Sequence, residues 1–158
     1  GPCTAKKMEI RKETVAPYID SALTFEELQA VLDSRDIDIT TLEEESLDDA
    51  SYFGRIFAHT GGLSSAVKQG MKEQGAEDFV LKPVVCDGIE ECKIALLKLR
   101  RNMLDGNFME GMACQGGCVN GNGNLTHMAK SRMDVEKYGK EAADKTIEHA
   151  IADFSLKE

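Results

Sequence analysis

Strand-like runs alternating with amphipathic helical runs, with no hairpin signature between them, predict an α/β fold for this chain of 158 residues. Three observations carry that prediction. Apolar segments at Phe79–Cys86 and Phe108–Ala113 flank a stretch of helical periodicity, giving the order strand, helix, strand. Helix-start signals stand directly after strand-like segments, at Thr24 and at Asp87. A hydrophobic content of 42% suffices for an ordinary core, and no repeat or composition break divides residues 1–158, so a single domain is predicted.

Taken in order, the chain opens on a polar, basic segment. Tyr18 to Leu23 alternates as a strand does and meets Thr24, whose hydroxyl forms a capping box with Glu27. A helix is predicted from there, with Leu28, Val31 and Leu32 as its apolar stripe, followed by a second alternating piece at Ile37–Ile39. The acidic run Glu43–Asp49 reads as a solvated loop or helix start, because hard-cation loops need ligands at fixed alternation around a tight glycine turn. "YFGRIFAHTGG", from Tyr52 to Gly62, supplies a glycine-bearing turn, after which Leu63, Ala66, Val67 and Met71 share a helical face that ends at Gly75. Pro83 puts the strand at Phe79–Cys86 at a sheet edge or a bulge. Asp87 with Glu90 is predicted to cap the next helix. Its apolar face is Ile89, Cys92, Leu96, Leu99 and Met103, which places Cys92 in the core. Turn residues at Asp105–Asn107 lead into the strand at Phe108–Ala113. A terminal amphipathic helix is predicted from Met133 to Phe154, marked by Tyr138, Ala142, Ile147, Ile151 and Phe154 and slightly weakened by Gly139.

Twenty-eight acidic against nineteen basic residues give a net charge of -9, which argues against a nucleic-acid partner because nothing offsets phosphate repulsion. A small partner is expected. No run of eighteen apolar residues is present and the first residues lack a signal-peptide pattern, so a soluble chain with no membrane span is expected. Five cysteines, odd in number and unevenly spread, argue against a disulfide framework and for a reducing, cytoplasmic compartment. Gly1, without an initiator methionine, runs straight into Pro-Cys-Thr and points to a fragment or a processed chain.

The chemistry concentrates in "FMEGMACQGGCVNGNGNL", from Phe108 to Leu125, which holds Cys114, Cys118 and five of the fourteen glycines. A four-residue spacing brings two thiols to one side of a helical turn, or leaves a loop wide enough for both to converge on one centre. A soft metal is the natural guest, and two incidental thiols are the bland alternative. Gly116, Gly117, Gly121 and Gly123 remove Cβ atoms where an inorganic centre needs close backbone approach and amide donors. Zinc sites take four ligands and usually CxxC pairs, so this spacing favours an iron-sulfur centre. Cys3, in "PCTAKK", is the candidate further ligand. Pro2 fixes the start of the turn, while Lys6 and Lys7 bring positive charge that lowers a thiol pKa and balances an anionic cluster. His59, His127 and His149 read as surface histidines, His59 being the one near enough to the turn to touch the site.

Together "PCTAKK", "FAHTGG" at Phe57–Gly62 and "FMEGMACQGGCVNGNGN" resemble, in order and spacing, three motifs of the [FeFe]-hydrogenases, the iron-only enzymes that interconvert dihydrogen with protons and electrons. These are the family's second cysteine motif, its Phe-Gly-x-Thr-Gly-Gly turn and its third cysteine motif. The resemblance covers essentially the whole chain as the C-terminal part of the catalytic domain, and implies one layered lobe of the iron hydrogenase large-subunit fold. It also implies an H-cluster, a [4Fe-4S] cube held by four cysteines, one of which bridges to a two-iron subcluster carrying carbon monoxide, cyanide and an azadithiolate. By motif, Cys3 and Cys114 would be cube ligands and Cys118 the bridging thiolate. Lys6 matches a lysine that hydrogen-bonds a cyanide ligand, a role suited to ammonium donors. Met112 matches a methionine packed against the two-iron unit, where it excludes water without donating a proton; the alternative is a strand-end core residue. Pro2, Ala58, Thr60, Gly116 and Gly117 would shape the cluster pocket.

Three departures resemble the divergent, hydrogen-sensing branches of the family. Gln115 stands where proline is usual, the glycine run is thinned to "GNGN", and Ala58 replaces the glycine after Phe57, setting a methyl where backbone normally approaches the two-iron unit. Nothing matches the family's first cysteine motif, of Thr-Ser-Cys-Cys-Pro type, which supplies the fourth cube ligand and a proton-relaying thiol. The isolated chain is therefore expected to be incomplete and inactive, and to need an upstream lobe carrying that motif. In the full-length protein its substrates would be H2 and protons and its electron partner would carry ferredoxin-type clusters. A hydrogen-sensing module and a non-catalytic, hydrogenase-like iron-sulfur assembly protein are the competing readings; a lysine aimed at cyanide favours the enzyme.

Overall fold

A β-α-β unit forms the centre of the computed structural model, which describes residues 1–45, 48–76, 78–128 and 130–152. β1 (Pro83–Asp87) and β2 (Phe108–Met112) pair in parallel, with Pro83 opposite Phe108 and Asp87 opposite Met112, and α5 (Ile89–Arg100) makes the crossover. The predicted α/β class and the order strand, helix, strand are both present. Parallel pairing requires such a crossover, since no short turn can reverse the chain twice. Pro83 takes the first position of β1, where a missing N–H interrupts no ladder. Residues 79–82, expected as strand, lie outside it. Asn107 satisfies them instead: its Oδ1 accepts from Lys82 N at 2.7 Å and its Nδ2 donates to Val80 O at 2.9 Å.

Upstream, α1 (Lys6–Glu9) is a single turn, and α2 (Phe25–Asp33) begins at the predicted capping box. Glu27 N donates to Thr24 Oγ1 at 3.2 Å and Thr24 N to Glu27 Oε2 at 2.9 Å. Two expected strand segments are absent. Tyr18 and Ile19 donate back to Val15 O, and Asp38 accepts from Thr40 N and Oγ1, closing a 3₁₀ turn at Ile39–Thr41. Alternation without a partner strand loses to such local bonds. The described residues of the acidic run 43–49 form no helix or strand; Ser46 and Leu47 lie outside the described set.

α3 (Tyr52–Arg55) and a 3₁₀ turn at Ile56–Ala58 lead into α4 (Gly62–Glu73), the helix expected after the "FAHTGG" turn. Its N-terminus is held by Glu110, which reaches out from the middle of β2 and is only 1% exposed. The carboxylate accepts from Gly61 N at 2.8 Å, Ser64 N at 2.8 Å and Ser64 Oγ at 2.5 Å. It thereby pairs donors a helix start leaves open, at the end where the dipole favours negative charge.

α5 begins after Gly88, which has φ 103°, and not at a cap built from Asp87 and Glu90. Glu91 accepts from Asp87 N at 2.8 Å instead. Ala95 is buried and Cys92 half-buried on the face toward the strands, while Ile89, Leu96, Leu99 and Met103, expected in the core, are exposed. Two strands cover only a narrow face of a helix.

The predicted terminal helix is two helices, α6 (Ser131–Lys140) and α7 (Ile147–Ala152); Phe154 lies outside the described residues. Tertiary partners take over the backbone groups between them. Asp48 accepts from Ala143 N at 3.0 Å, Tyr52 N donates to Asp144 O at 3.2 Å, and Glu73 accepts from Ile147 N at 2.9 Å and Glu148 N at 2.8 Å. Gly139 is not a weak point. A Cβ there would stand 2.7 Å from Ile56 Cγ2 and 3.1 Å from the Tyr52 ring, so the glycine lets α6 settle onto α3. Among the described residues no helix is long and apolar enough to cross a membrane.

Candidate functional site

The three motifs singled out in the sequence meet at the C-terminal ends of the two strands. Gly117 forms an antiparallel bridge with His59, and Thr60 N donates to Gly116 O at 3.2 Å. Only glycine fits this contact: Gly117 has φ 94°, and a Cβ would lie 2.6 Å from Thr60 N and 2.7 Å from Ala58 O. Gly123 N donates to Pro2 O at 2.9 Å, which joins the N-terminal cysteine segment to the same loop. The bare backbone between and after Cys114 and Cys118 therefore serves close contact between segments of the chain.

Asp87, expected as a helix cap, is the residue that ties the pieces together. It ends β1, and one oxygen, Oδ1, accepts both from Thr60 Oγ1 at 2.7 Å and from Gly116 N at 2.6 Å. A strand end thus fixes both the turn at 57–62 and the loop between the thiols. Its position was the available signal, since the carboxyl ends of parallel strands are where sites form in α/β folds.

Cys3 and Cys114 line one cavity of about 760 Å³, together with Ile89, Gln115, Asn120 and His127. Cys118 is half-buried beside them. Burial pushes its thiol up, the Cys3 and Cys114 thiols do the same, and the Lys6 ammonium pulls it down. Lys6 in turn is held above its ordinary range, first by its hydrogen bond to Glu9 and then by the charges of Glu9, Cys3 and Cys118. Three thiols and one ammonium thus share a single electrostatic neighbourhood. Lys7 points elsewhere, bonding Glu27 at 2.6 and 2.7 Å and Ala22 O at 3.1 Å.

Met112 is half-buried at the end of β2, opposite Asp87, and its carbonyl accepts from Gly88 N at 2.8 Å. Pro2 and Ala58 line a second cavity of about 490 Å³, which shares Met128 with the first. Thr60 directs its hydroxyl to Asp87. Among the described residues no three His, Cys, Asp or Glu groups close on a single metal ion. A cube asks for a different arrangement, with thiolates around a volume, each on its own iron.

One histidine departs from the surface reading. His59 is only 5% exposed, its Nδ1 lying 3.0 Å from Thr60 O and its Nε2 3.2 Å from Glu136 Oε2. Tyr52 Oη donates to Glu136 Oε1 at 2.7 Å. That bond, with those from His59 and the charge of Lys140, holds the Glu136 carboxyl below the usual glutamate range against its partial burial. His127 is exposed, as expected, and stands at the wall of the cavity that Cys3 and Cys114 line. His149 is exposed and pairs with Asp144. A polar loop reads as solvated by default, and nothing local marks His127 as a wall residue.

Comparison with known proteins accords with this assembly. The family model described as the C-terminal domain of the iron only hydrogenase large subunit matches residues 1–122. Iron hydrogenase 1 of Clostridium pasteurianum is 28% identical over 171 residues, covering 86% of this chain and 30% of the relative. The nuclear prelamin A recognition factor of Homo sapiens is 24% identical over 158 residues, covering 78% of this chain and 35% of that protein. The chain spans about a third of the length of these curated relatives. The match at residues 1–122 takes in Cys3, Thr60, Asp87, Cys114 and Cys118, and the chain therefore belongs to the family formed by the C-terminal domain of the iron-only hydrogenase large subunit.

Proposed function

We propose that this chain is the C-terminal, cluster-holding part of an iron-only hydrogenase that interconverts H2 with protons and electrons at an H-cluster. The observation that carries this reading is the meeting of Cys3 and Cys114 on one cavity, from segments more than a hundred residues apart, with Cys118 and Lys6 in the same electrostatic neighbourhood. The donor set fits the group: soft thiolates in the number left when one cube ligand comes from elsewhere, with a cation to balance anionic iron-sulfur charge. When bound, the cluster supplies hydrogen activation and the transfer of electrons.

The chain's own residues hold and shield it. Cys3 and Cys114 would bind cube irons, and Cys118 would join the cube to the two-iron subcluster. Lys6 would donate to a cyanide ligand, which requires it to leave or share its present partner Glu9. Met112 would exclude water, while Asp87 and Thr60 keep the Gly116–Gly117 backbone in place. Pro2 and Ala58 would line the wall behind it. Cys86 and Cys92 belong to the β-α-β unit and not to this set, so the fourth ligand would come from an upstream lobe, and the isolated chain would be inactive. Electrons would pass to a ferredoxin-type partner in the cytoplasm.

A second reading, hydrogen sensing, is favoured by Gln115 and by the Ala58 methyl beside Pro2. One relative is named for prelamin A recognition, which keeps a non-catalytic reading among the outcomes. The test is infrared spectroscopy on the reconstituted full-length protein and its Cys118→Ala variant. Carbon monoxide and cyanide bands present in the parent and lost in the variant support an H-cluster. Dye-linked H2 uptake then separates a fast enzyme from a sensor. Iron-sulfur absorbance without those bands would overturn the hydrogenase reading in favour of a non-catalytic relative.

A further inference from the structure

Cys86 and Cys92, the two cysteines outside the cluster site, meet between β1 and α5. Cys86 is 3% exposed, and Cys92 sits half-buried in the first turn of α5. Strand register sets Cys86 opposite Gly111 of β2, so both residues face the same side of the sheet. Gly111 leaves that side open, and the Cys92 thiol fills it: a Cβ on Gly111 would stand 3.1 Å from Cys92 Sγ. Paired strands lie only ~4.8 Å apart, which leaves Cys92 Sγ within side-chain reach of Cys86. Burial pushes the Cys86 thiol up, and the neighbouring Cys92 thiol adds to the shift. Cys92 Sγ donates to Met112 O at 3.7 Å.

We propose that Cys86 and Cys92 are a redox-active dithiol, closing to a disulfide by exchange with a low-molecular-weight disulfide. The Cys92 thiolate, the more accessible of the two, attacks one sulfur of the small disulfide, forming a mixed disulfide and releasing one small thiolate. The Cys86 thiolate then attacks Cys92 Sγ. The Cys86–Cys92 bond forms, the mixed bond breaks, and the second small thiolate leaves. Two cysteine sulfurs lose two electrons in total, the small disulfide gains them, and the two thiol protons end on the released thiols. Closure removes the S–H that Cys92 directs at Met112 O, two residues before Cys114, so the oxidation state of this pair is sensed at the root of the cluster loop. The chemistry needs no iron and stands whether or not the chain holds a cluster.

The experiment equilibrates the full chain in buffers of graded reduced-to-oxidised glutathione ratio, traps free thiols with N-ethylmaleimide and maps the peptides by mass spectrometry. The expected product is a Cys86–Cys92 cross-linked peptide lacking two hydrogens, restored by dithiothreitol. Cys86→Ser is expected to stop at a glutathione adduct on Cys92, and Cys92→Ser to leave Cys86 reduced. A Cys3, Cys114 and Cys118 triple serine variant should cross-link as the parent does. The proposal is overturned if Cys86 and Cys92 both stay alkylatable at the most oxidising ratio, or if either pairs with a cysteine of the cluster loop instead.

Discussion

Replacing Glu110 should unhinge the helix that follows the "FAHTGG" turn from the strand that leads into the cysteine loop. Its carboxylate serves three donors, Gly61 N, Ser64 N and Ser64 Oγ, at a position 1% exposed. Hydrogen bonds to a charged group are worth about 1.5–3 kcal/mol each, and buried donors left without partners cost about 1–3 kcal/mol. Water entering the space vacated in Glu110→Ala offsets part of the loss, which leaves a destabilisation of about 4 kcal/mol. Glu110→Gln fills the same volume and keeps one carbonyl acceptor, so about half of that is expected. Against a total stability of about 5–15 kcal/mol, the alanine variant loses a large share. The assay is urea unfolding followed by circular dichroism, with Ser64→Ala completing a double-mutant cycle whose coupling should reach about 1 kcal/mol. If both Glu110 variants fall within about 0.5 kcal/mol of the parent, the reasoning that a buried carboxylate caps this helix from across the fold is wrong.

Three further outcomes follow from the site. Asp87→Asn retains the one oxygen that accepts both Thr60 and Gly116, and should unfold within about 1 kcal/mol of the parent, whereas Asp87→Ala should lose about 2 kcal/mol and speed alkylation of Cys114 and Cys118, read by mass spectrometry. Gly117→Ala forces a methyl against the backbone of residues 58–60, in a conformation that costs about 1–3 kcal/mol for other residues; urea unfolding should show at least that loss. Glu136 has its carboxyl lowered in the folded state, chiefly by the Tyr52 hydroxyl. Its contribution to stability is present above the unfolded glutamate value and is lost as pH falls through the lower folded one. Urea midpoints measured across that acid range should therefore fall more steeply for the parent than for Glu136→Gln.

What the sequence makes legible is what neighbours in the chain decide. The capping box of Thr24 and Glu27 spans three residues, and it is present as predicted. The strand, helix, strand order was also readable, because periodicity reports which residues share a face. It does not report what covers that face, so the apolar residues of α5 were assigned to a core that two strands are too narrow to provide. Asp87 went unrecognised because its partners lie 27 and 29 residues away. The terminal helix was drawn too long for the same reason: Asp48 and Glu73, 95 and 74 residues distant, bind the backbone at its break. His59 carried no mark of burial beyond its turn. Its partner Glu136 is 77 residues on.

The bond from Gly123 N to Pro2 O joins residues far apart in the chain. Contacts of such separation form late, since the intervening loop must close before they return any energy. During synthesis Cys3 leaves the ribosome well ahead of Gly123, and it has no fixed position until the segment between them has emerged. Lys7 and Glu27 can hold its segment to α2 meanwhile, but only the closing of the glycine loop sets it beside Cys114 and Cys118. Until that moment no trio of thiols exists for a stray thiophilic ion to occupy, and whatever is loaded into the site must arrive after that loop has closed.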